Sequence, residues 1–153
     1  MKYKPRDLKD CKNLFFEFYF PIEPKQSTRF GNGKAYKSAK VSNFEKVITN
    51  AFIIQHVKQY KQRLTGAIHY DATYYYKIPD SYPKWTKDAV KNGGKVYKET
   101  QPDLTDNMNK GIVDTIAPLI MANDGQIAKV SCDKFWSKED KIICAFYELQ
   151  NPL

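Results

Sequence analysis

Histidine and cysteine are scarce in this chain. Its 153 residues hold two histidines, His56 and His69, and three cysteines, Cys11, Cys132 and Cys144. Two histidines exclude HExxH centres, three-histidine zinc sites and most histidine-based nucleophile schemes. The cysteines are far apart and odd in number, with no CxxC pair, so a zinc knuckle is excluded and a reducing compartment is expected. No apolar run approaches the roughly 20 residues of a membrane span, and the N-terminus has no hydrophobic signal core. A cytoplasmic protein without a membrane segment is the expectation. Acidic residues are also in the minority, 17 against 25 Lys and Arg, for a formal net charge of +8. An excess of that sign favours a polyanionic partner, nucleic acid first.

What is present reads as one folded domain. Hydrophobic residues make up 42% of the chain, enough for a core at this length. Residues 1–12 read as a peripheral arm, and 13–20, NLFFEFYF, as a strand stopped by Pro21. Asn32-Gly33 suits a tight hairpin between TRF and KAY. Around it Arg29, Lys34, Lys37 and Lys40 interleave with Phe30 and Tyr36, a pattern suited to DNA phosphates. Ser42 and Glu45 have the spacing of a capping box, and Val47, Ala51, Ile54 and Val57 recur at helical intervals, predicting a helix over 43–61. Residues 66–78 alternate Ile68, Tyr70, Ala72, Tyr74 and Tyr76, the period of a strand. A long connection, 79–102, holds a short helix near 86–92 closed by Gly93-Gly94. A helix over 104–121 and strands over 127–136 and 141–149 follow, the last two joined by the charged turn SKED. The expected architecture is α/β in the α+β sense: a mixed sheet carrying two main helices, in a single compact domain.

The chemistry concentrates in QPDLTDNMNKGIVDTI, residues 101–116. Asp103, Asp106, Lys110 and Asp114 are spaced three, four and four, which puts them on one stripe of a helix. Met108, Ile112, Ile116 and Leu119 form another stripe that can face a core. An ordinary solvated face, with Asp114 paired to Lys110, also accounts for the acids. Against that bland reading, the stripe is mostly carboxylate and amide, Asn107 included, in a basic chain. Asp124 follows directly in ANDGQIAK, where a loop can return it to the helix. Hard cations such as Mg²⁺ take oxygen ligands from a few carboxylates and keep sites for water and phosphate.

PDLTDNMNKGIVDTI followed by NDGQIAK resembles the signature of the RusA-type Holliday-junction resolvases. That signature is a Pro-Asp-x-Asp-Asn-x-x-Lys helix, then Asp-Asp-x-Gln before a strand. Asp106, Asn107, Lys110, Asp124 and Gln126 match it residue by residue. Asp103 matches the first Asp with one extra residue, Thr105, in between, and a spacing of three keeps both acids on one helical face. Asn123 stands where the family often has the first Asp of the pair. The resemblance implies a homodimer that binds four-way DNA junctions and makes paired cuts with Mg²⁺, or Mn²⁺ in its place. It implies Asp103, Asp106 and Asp124 as metal ligands and Lys110 as the partner of transition-state charge. Asn107, Gln126 and Asp114 would support them, Asp114 by orienting Lys110. Two other readings fit the residues: a non-catalytic basic nucleic-acid-binding module, and a less selective branched-DNA or flap nuclease.

Overall fold

The alternation read in residues 66–78 becomes the central strand of the sheet. The computed structural model describes residues 13–18, 29–36, 39–56, 64–104 and 108–149. Its strands and helices are β1 (Asn13–Phe18), β2 (Arg29–Gly31), β3 (Lys34–Tyr36), α1 (Ala39–His56), β4 (Ile68–Lys77), α2 (Lys84–Lys91), β5 (Val96–Tyr97), α3 (Asn109–Ile120), β6 (Ile127–Ser137) and β7 (Lys141–Glu148). They gather in two compact units. One holds β1, β4, α2, β5, β6 and β7; the other holds β2, β3, α1, α3 and the turn after α3.

The first unit is built on a five-stranded mixed sheet in the order β1-β7-β4-β6-β5. β4 runs parallel to β6 and antiparallel to β7; β1 is antiparallel to β7, and β5 to β6. A parallel neighbour requires a long crossover, and residues 78–126 supply it between β4 and β6. Ile68, Tyr70, Ala72 and Tyr74 of β4 are all buried, as the alternation predicts. They sit opposite Glu148, Phe146, Cys144 and Ile142 of β7, which are buried too, so apart from Glu148 the apolar face continues across the pair. Tyr70 lies 5.0 Å from the Phe146 ring, and its hydroxyl shares a 3.0 Å hydrogen bond with that of Tyr74. Burial pushes both phenols well above the ordinary tyrosine range, so both stay neutral.

The SKED turn joins strands that are not neighbours: β6 and β7 flank β4 on opposite sides. Its Asp140 carboxylate accepts the backbone N–H of Lys77 at 2.8 Å, closing the end of β4 as the turn steps past it. The long connection also contains a strand that the sequence did not reveal, the two-residue edge β5. The short helix α2 begins two residues earlier than expected, after Pro83, where a proline suits a helix start. Gly93 follows it at φ 79°, a backbone angle that suits glycine.

In the second unit, β2 and β3 form the predicted hairpin. Asn32 and Gly33 take φ 49° and 73°, the positive pair of a type I′ turn. α1 starts at Ala39, so Ser42 lies inside it and is not its cap. Ala39 and Lys40 are good helix formers and extend the helix backwards. The buried stripe of α1 is Phe44, Ile48 and Phe52, spaced four apart; Val47 is 45% exposed, and Ala51 is half-buried. Two phenylalanines and an isoleucine bury more apolar area than the Val-Ala stripe would, and that difference sets the rotation of the helix. The Ile54 side chain and Val57 lie outside the described residues.

α3 packs against α1, and Ile112, Ile116, Ala117 and Ile120 of α3, with Met108 just before it, are buried. Leu119, expected in that stripe, is 38% exposed, and Ile120 takes its place. The regular helix begins at Asn109, later than the expected start at 104. Pro118 sits inside α3 and has no N–H to donate to the Asp114 carbonyl, so the ladder skips that rung. Two residues on, the helix ends, with the Met121 N–H on the Ala117 carbonyl at 2.9 Å. Leu64 then bridges to Met121, its N–H donating to the Ile120 carbonyl at 2.7 Å. The α+β class and the mixed sheet are as expected. Among the described residues, no helix is long and apolar enough to cross a membrane.

Candidate functional site

The segment leading to the first acid is anchored before it enters the site. Lys98 is nearly buried: its ammonium donates to the Thr100 hydroxyl and to the Gln101 carbonyl at 2.6 Å. It also lies 4.3 Å from the Trp136 ring centre and 5.1 Å from that of Tyr76. Desolvation, helped by nearby Lys134, pulls the Lys98 amine below its ordinary pKa. Lys134 adds a bond of 2.7 Å to the Thr100 carbonyl. Two lysines thus fix the segment after β5 as far as Gln101.

Asp103 follows, half-buried. The Asn109 side-chain amide reaches back five residues and donates to the Leu104 carbonyl at 3.1 Å. Asp106 and Asn107, expected as ligand and support, lie outside the described residues. Because the regular helix starts only at Asn109, helical spacing alone does not place Asp103 relative to Lys110 and Asp114. On α3 itself, Lys110 is exposed and Asp114 half-buried, four residues apart as read.

Asp114 lines an open cleft of about 350 Å³, together with Ala117, Pro118, Met121, Ala122, Asn123 and Asp124. The loop does return Asp124 toward the helix, as its position in the sequence suggested. The return is built by local hydrogen bonds. Gln126 Oε1 accepts the N–H groups of Ala122 at 3.0 Å and Asn123 at 3.1 Å, and its Nε2 donates to the Leu64 carbonyl at 3.4 Å. Asn123 Oδ1 accepts the Gly125 N–H at 2.7 Å, an Asx turn, and the Gln126 N–H closes on the Asn123 carbonyl at 3.1 Å. A Cβ on Gly125 would stand 3.0 Å from Asn123 Oδ1, so glycine lets the amide fold over the backbone. Asp124 opens the resulting 3-10 turn, exposed, with its carboxylate outside this lock. An Asx turn needs an acceptor oxygen at position 123 and no charge, so Asn123 can do there what an aspartate would.

The structure therefore brings Asp114 and Asp124 to one cleft; Asp103 and Lys110 do not line it. Among the described residues, no three His, Cys, Asp or Glu side chains form a metal cluster. Of the basic set, Arg29 pairs with Tyr36 and Lys34 with Gly31 in the hairpin, and Lys40 is exposed in the first turn of α1. Lys37 lies outside the described residues. Sequence reasoning missed the Leu64 carbonyl that receives Gln126, a partner 62 residues away with no local signal. It also passed over Pro118, which is plain in the sequence and lines the cleft.

Comparison with known proteins places the chain among its relatives. The chain is 27% identical over 120 residues to Uncharacterized protein YqaN of Bacillus subtilis (strain 168), covering 78% of this chain and 82% of that protein. The family model described as Endodeoxyribonuclease RusA matches residues 20–145, taking in the hairpin, both long helices, the cleft loop and most of the sheet. The chain belongs to the RusA endodeoxyribonuclease family.

Proposed function

We propose that the chain is a divalent-metal-dependent endonuclease that cuts four-way DNA junctions in pairs as a homodimer, with Asp103, Asp106 and Asp124 as metal ligands. The observation that carries the reading is the cleft shared by Asp114 and Asp124, with Asp124 held on a loop locked by Gln126 and Asn123. Its membership of an endodeoxyribonuclease family supports the substrate.

The donor chemistry fits Mg²⁺ or Mn²⁺. The candidate ligands are carboxylate oxygens without a thiol or imidazole among them, and Asp124 lines an open cleft with room for water and a phosphate. Once bound, such a cation supplies Lewis-acid polarisation of a phosphodiester and a lowered pKa for attacking water. The rest falls to the chain. Asp103 and Asp124 present negative charge from two separate segments, so neither segment alone makes the site. Lys110 places a positive charge one helical turn before Asp114, where it can meet charge developing on a phosphate oxygen. Asp114 orients Lys110 from the same stripe of α3. Arg29, Lys34, Lys37 and Lys40 contact duplex phosphates, and the twofold symmetry of a dimer matches paired scissile sites on opposed strands.

The test is cleavage of a synthetic four-way junction with and without Mg²⁺, beside a flap and a linear duplex. Paired cuts in the junction alone, dependent on the cation, are expected. Equal cutting of flaps and junctions would replace junction selectivity with a general branched-DNA nuclease, and cation-independent cutting would remove the metal assignment.

A further inference from the structure

α2 and β5 carry a surface that the proposed nuclease site does not use. α2 is fixed by Thr86 and Val90, both buried, and lies against β5 and β6. It is tied to the following strand by the Gly94 N–H on the Ala89 carbonyl at 2.8 Å. A Cβ at Gly94 would stand 2.8 Å from that same oxygen, so only glycine allows the close return. Away from the buried side stand Lys84, Lys87, Lys91 and Trp85, with Asp88 the one acid of the helix. Trp85 is 72% exposed and Tyr97 on β5 is 68% exposed. They are the only aromatic side chains among the large apolar groups left exposed in the described residues, and they fall within one 13-residue stretch. Tyr97 is a supported platform, since its ring lies 4.8 Å from that of Phe135 in the neighbouring strand. Lys95 sits over the same Phe135 ring at 5.8 Å.

We propose that this surface binds unpaired, single-stranded DNA, with Trp85 and Tyr97 stacking on bases and Lys84 and Lys91 meeting the backbone. The lysines select a polyanion, and the exposed aromatic faces select a polyanion with accessible flat rings. Paired duplex hides its bases in the stack, so the aromatic half of the surface has a ligand only where strands are open. Lys87 is already engaged, its ammonium on the Asp80 carbonyl at 2.9 Å, and so contributes less. The occupant is DNA because the chain belongs to an endodeoxyribonuclease family. The inference rests on the proposed function to that extent, and it narrows the substrate to DNA with unpaired bases at or beside the branch.

The chain has two tryptophans, and Trp136 is 8% exposed, so quenching by an added ligand reports on Trp85. The full-length protein is titrated with oligo(dT) of about 15 nucleotides in EDTA at low salt, a length within the range of single-strand sites. Tryptophan emission should be quenched in the wild type and unchanged in Trp85→Phe. Trp85→Ala should weaken oligo(dT) affinity by about tenfold or more, with its melting temperature unchanged because the side chain is exposed. Lys84→Gln with Lys91→Gln should flatten the salt dependence of the same binding. No quenching from a protein that cleaves four-way junctions overturns the surface and leaves the nuclease reading intact. Quenching without cleavage of any branched DNA supports the surface and fails the nuclease reading. Quenching by poly-glutamate in place of oligo(dT) overturns DNA in favour of an acidic protein partner.

Discussion

Replacing Gln126 with alanine removes the side chain that frames the cleft loop without touching a proposed ligand. Its Oε1 accepts two backbone N–H groups, from Ala122 and Asn123, and its Nε2 makes a longer bond to the Leu64 carbonyl. A net 0.5–1.5 kcal/mol is typical for each such bond, and exposed partners sit at the low end because water replaces the lost acceptor. Ala122 and Asn123 are both exposed, so the two good bonds are worth about 1 kcal/mol together and the 3.4 Å bond adds little. The melting temperature should fall by a few degrees. Cleavage should fall further than stability does. Asp124 is adjacent to the framed backbone, and a carboxylate displaced by about 1 Å costs on the order of 100-fold in a positioned reaction. Gln126→Glu keeps an acceptor for both N–H groups and loses only the weaker bond, so it should recover most of the stability. Junction binding in EDTA should be unchanged in both variants, which separates positioning from recognition. The measurements are a thermal melt, single-turnover cleavage and a binding isotherm on the same three proteins. An alanine variant that melts lower yet cleaves at the wild-type rate would refute the claim that this frame positions Asp124.

Four further outcomes are expected. Asp106→Asn should lose cleavage by orders of magnitude while keeping junction binding, whereas Lys110→Ala should lose cleavage and keep Mg²⁺ binding, read by calorimetry; near-normal cleavage by the asparagine variant would remove Asp106 from the ligand set. Neutralising Arg29 and Lys34 together should weaken binding across DNA sequences and reduce the slope of log affinity against log salt by roughly 0.9 per lost phosphate contact. Ile116→Ala should cost about 2–5 kcal/mol by urea denaturation, because the side chain is fully buried, and Leu119→Ala under about 1 kcal/mol; equal costs would contradict the orientation of α3. His69 should make the fold acid-sensitive. Desolvation and then Lys129 lower its pKa, against an opposing pull from Asp71, so the unfolded chain takes up the proton first as pH drops. Its contribution to stability is therefore complete above the ordinary histidine value of about 6.5 and is lost as pH falls from there toward the lowered folded value. His69→Gln should flatten the melting temperature over that range, and an equally steep variant would assign the acid sensitivity elsewhere.

Legibility in the sequence followed the range of the interaction that decides each feature. The type I′ hairpin was readable because Asn-Gly carries its own turn geometry in two residues. The β4 face was readable because strict alternation over Ile68 to Tyr74 leaves one register that buries the apolar side. The helix rotations were only partly readable. Val47 and Ile48 both belong to plausible helical stripes, and the choice between them depends on which stripe meets α3. The same holds for Leu119 and Ile120: the helix ends there after Pro118, and the last turn faces where Leu64 pairs with Met121. The two-residue β5 exists because β6 offers it a partner, and so small a strand has no period to detect.

The candidate site divides along the same line. Asp103, Lys110, Asp114 and Asp124 were visible as residue types at spacings that chemistry favours, since carboxylates gathered in a basic chain invite an explanation. What brings Asp124 to the Asp114 cleft was less visible, because the lock mixes local and remote partners. Asn123 and Gly125 form an Asx turn within three residues. Gln126 needs the carbonyl of Leu64, whose own N–H is held by Ile120. One short segment ahead of β4 therefore holds both the end of α3 and the loop that carries Asp124. A substitution at Leu64 should then loosen the cleft from a position that carries no chemistry of its own. The cleft thus depends on ordinary core packing: Leu64 is 1% exposed and Ile120 is fully buried, so the hydrophobic burial that fixes the helix end also fixes the proposed ligand loop.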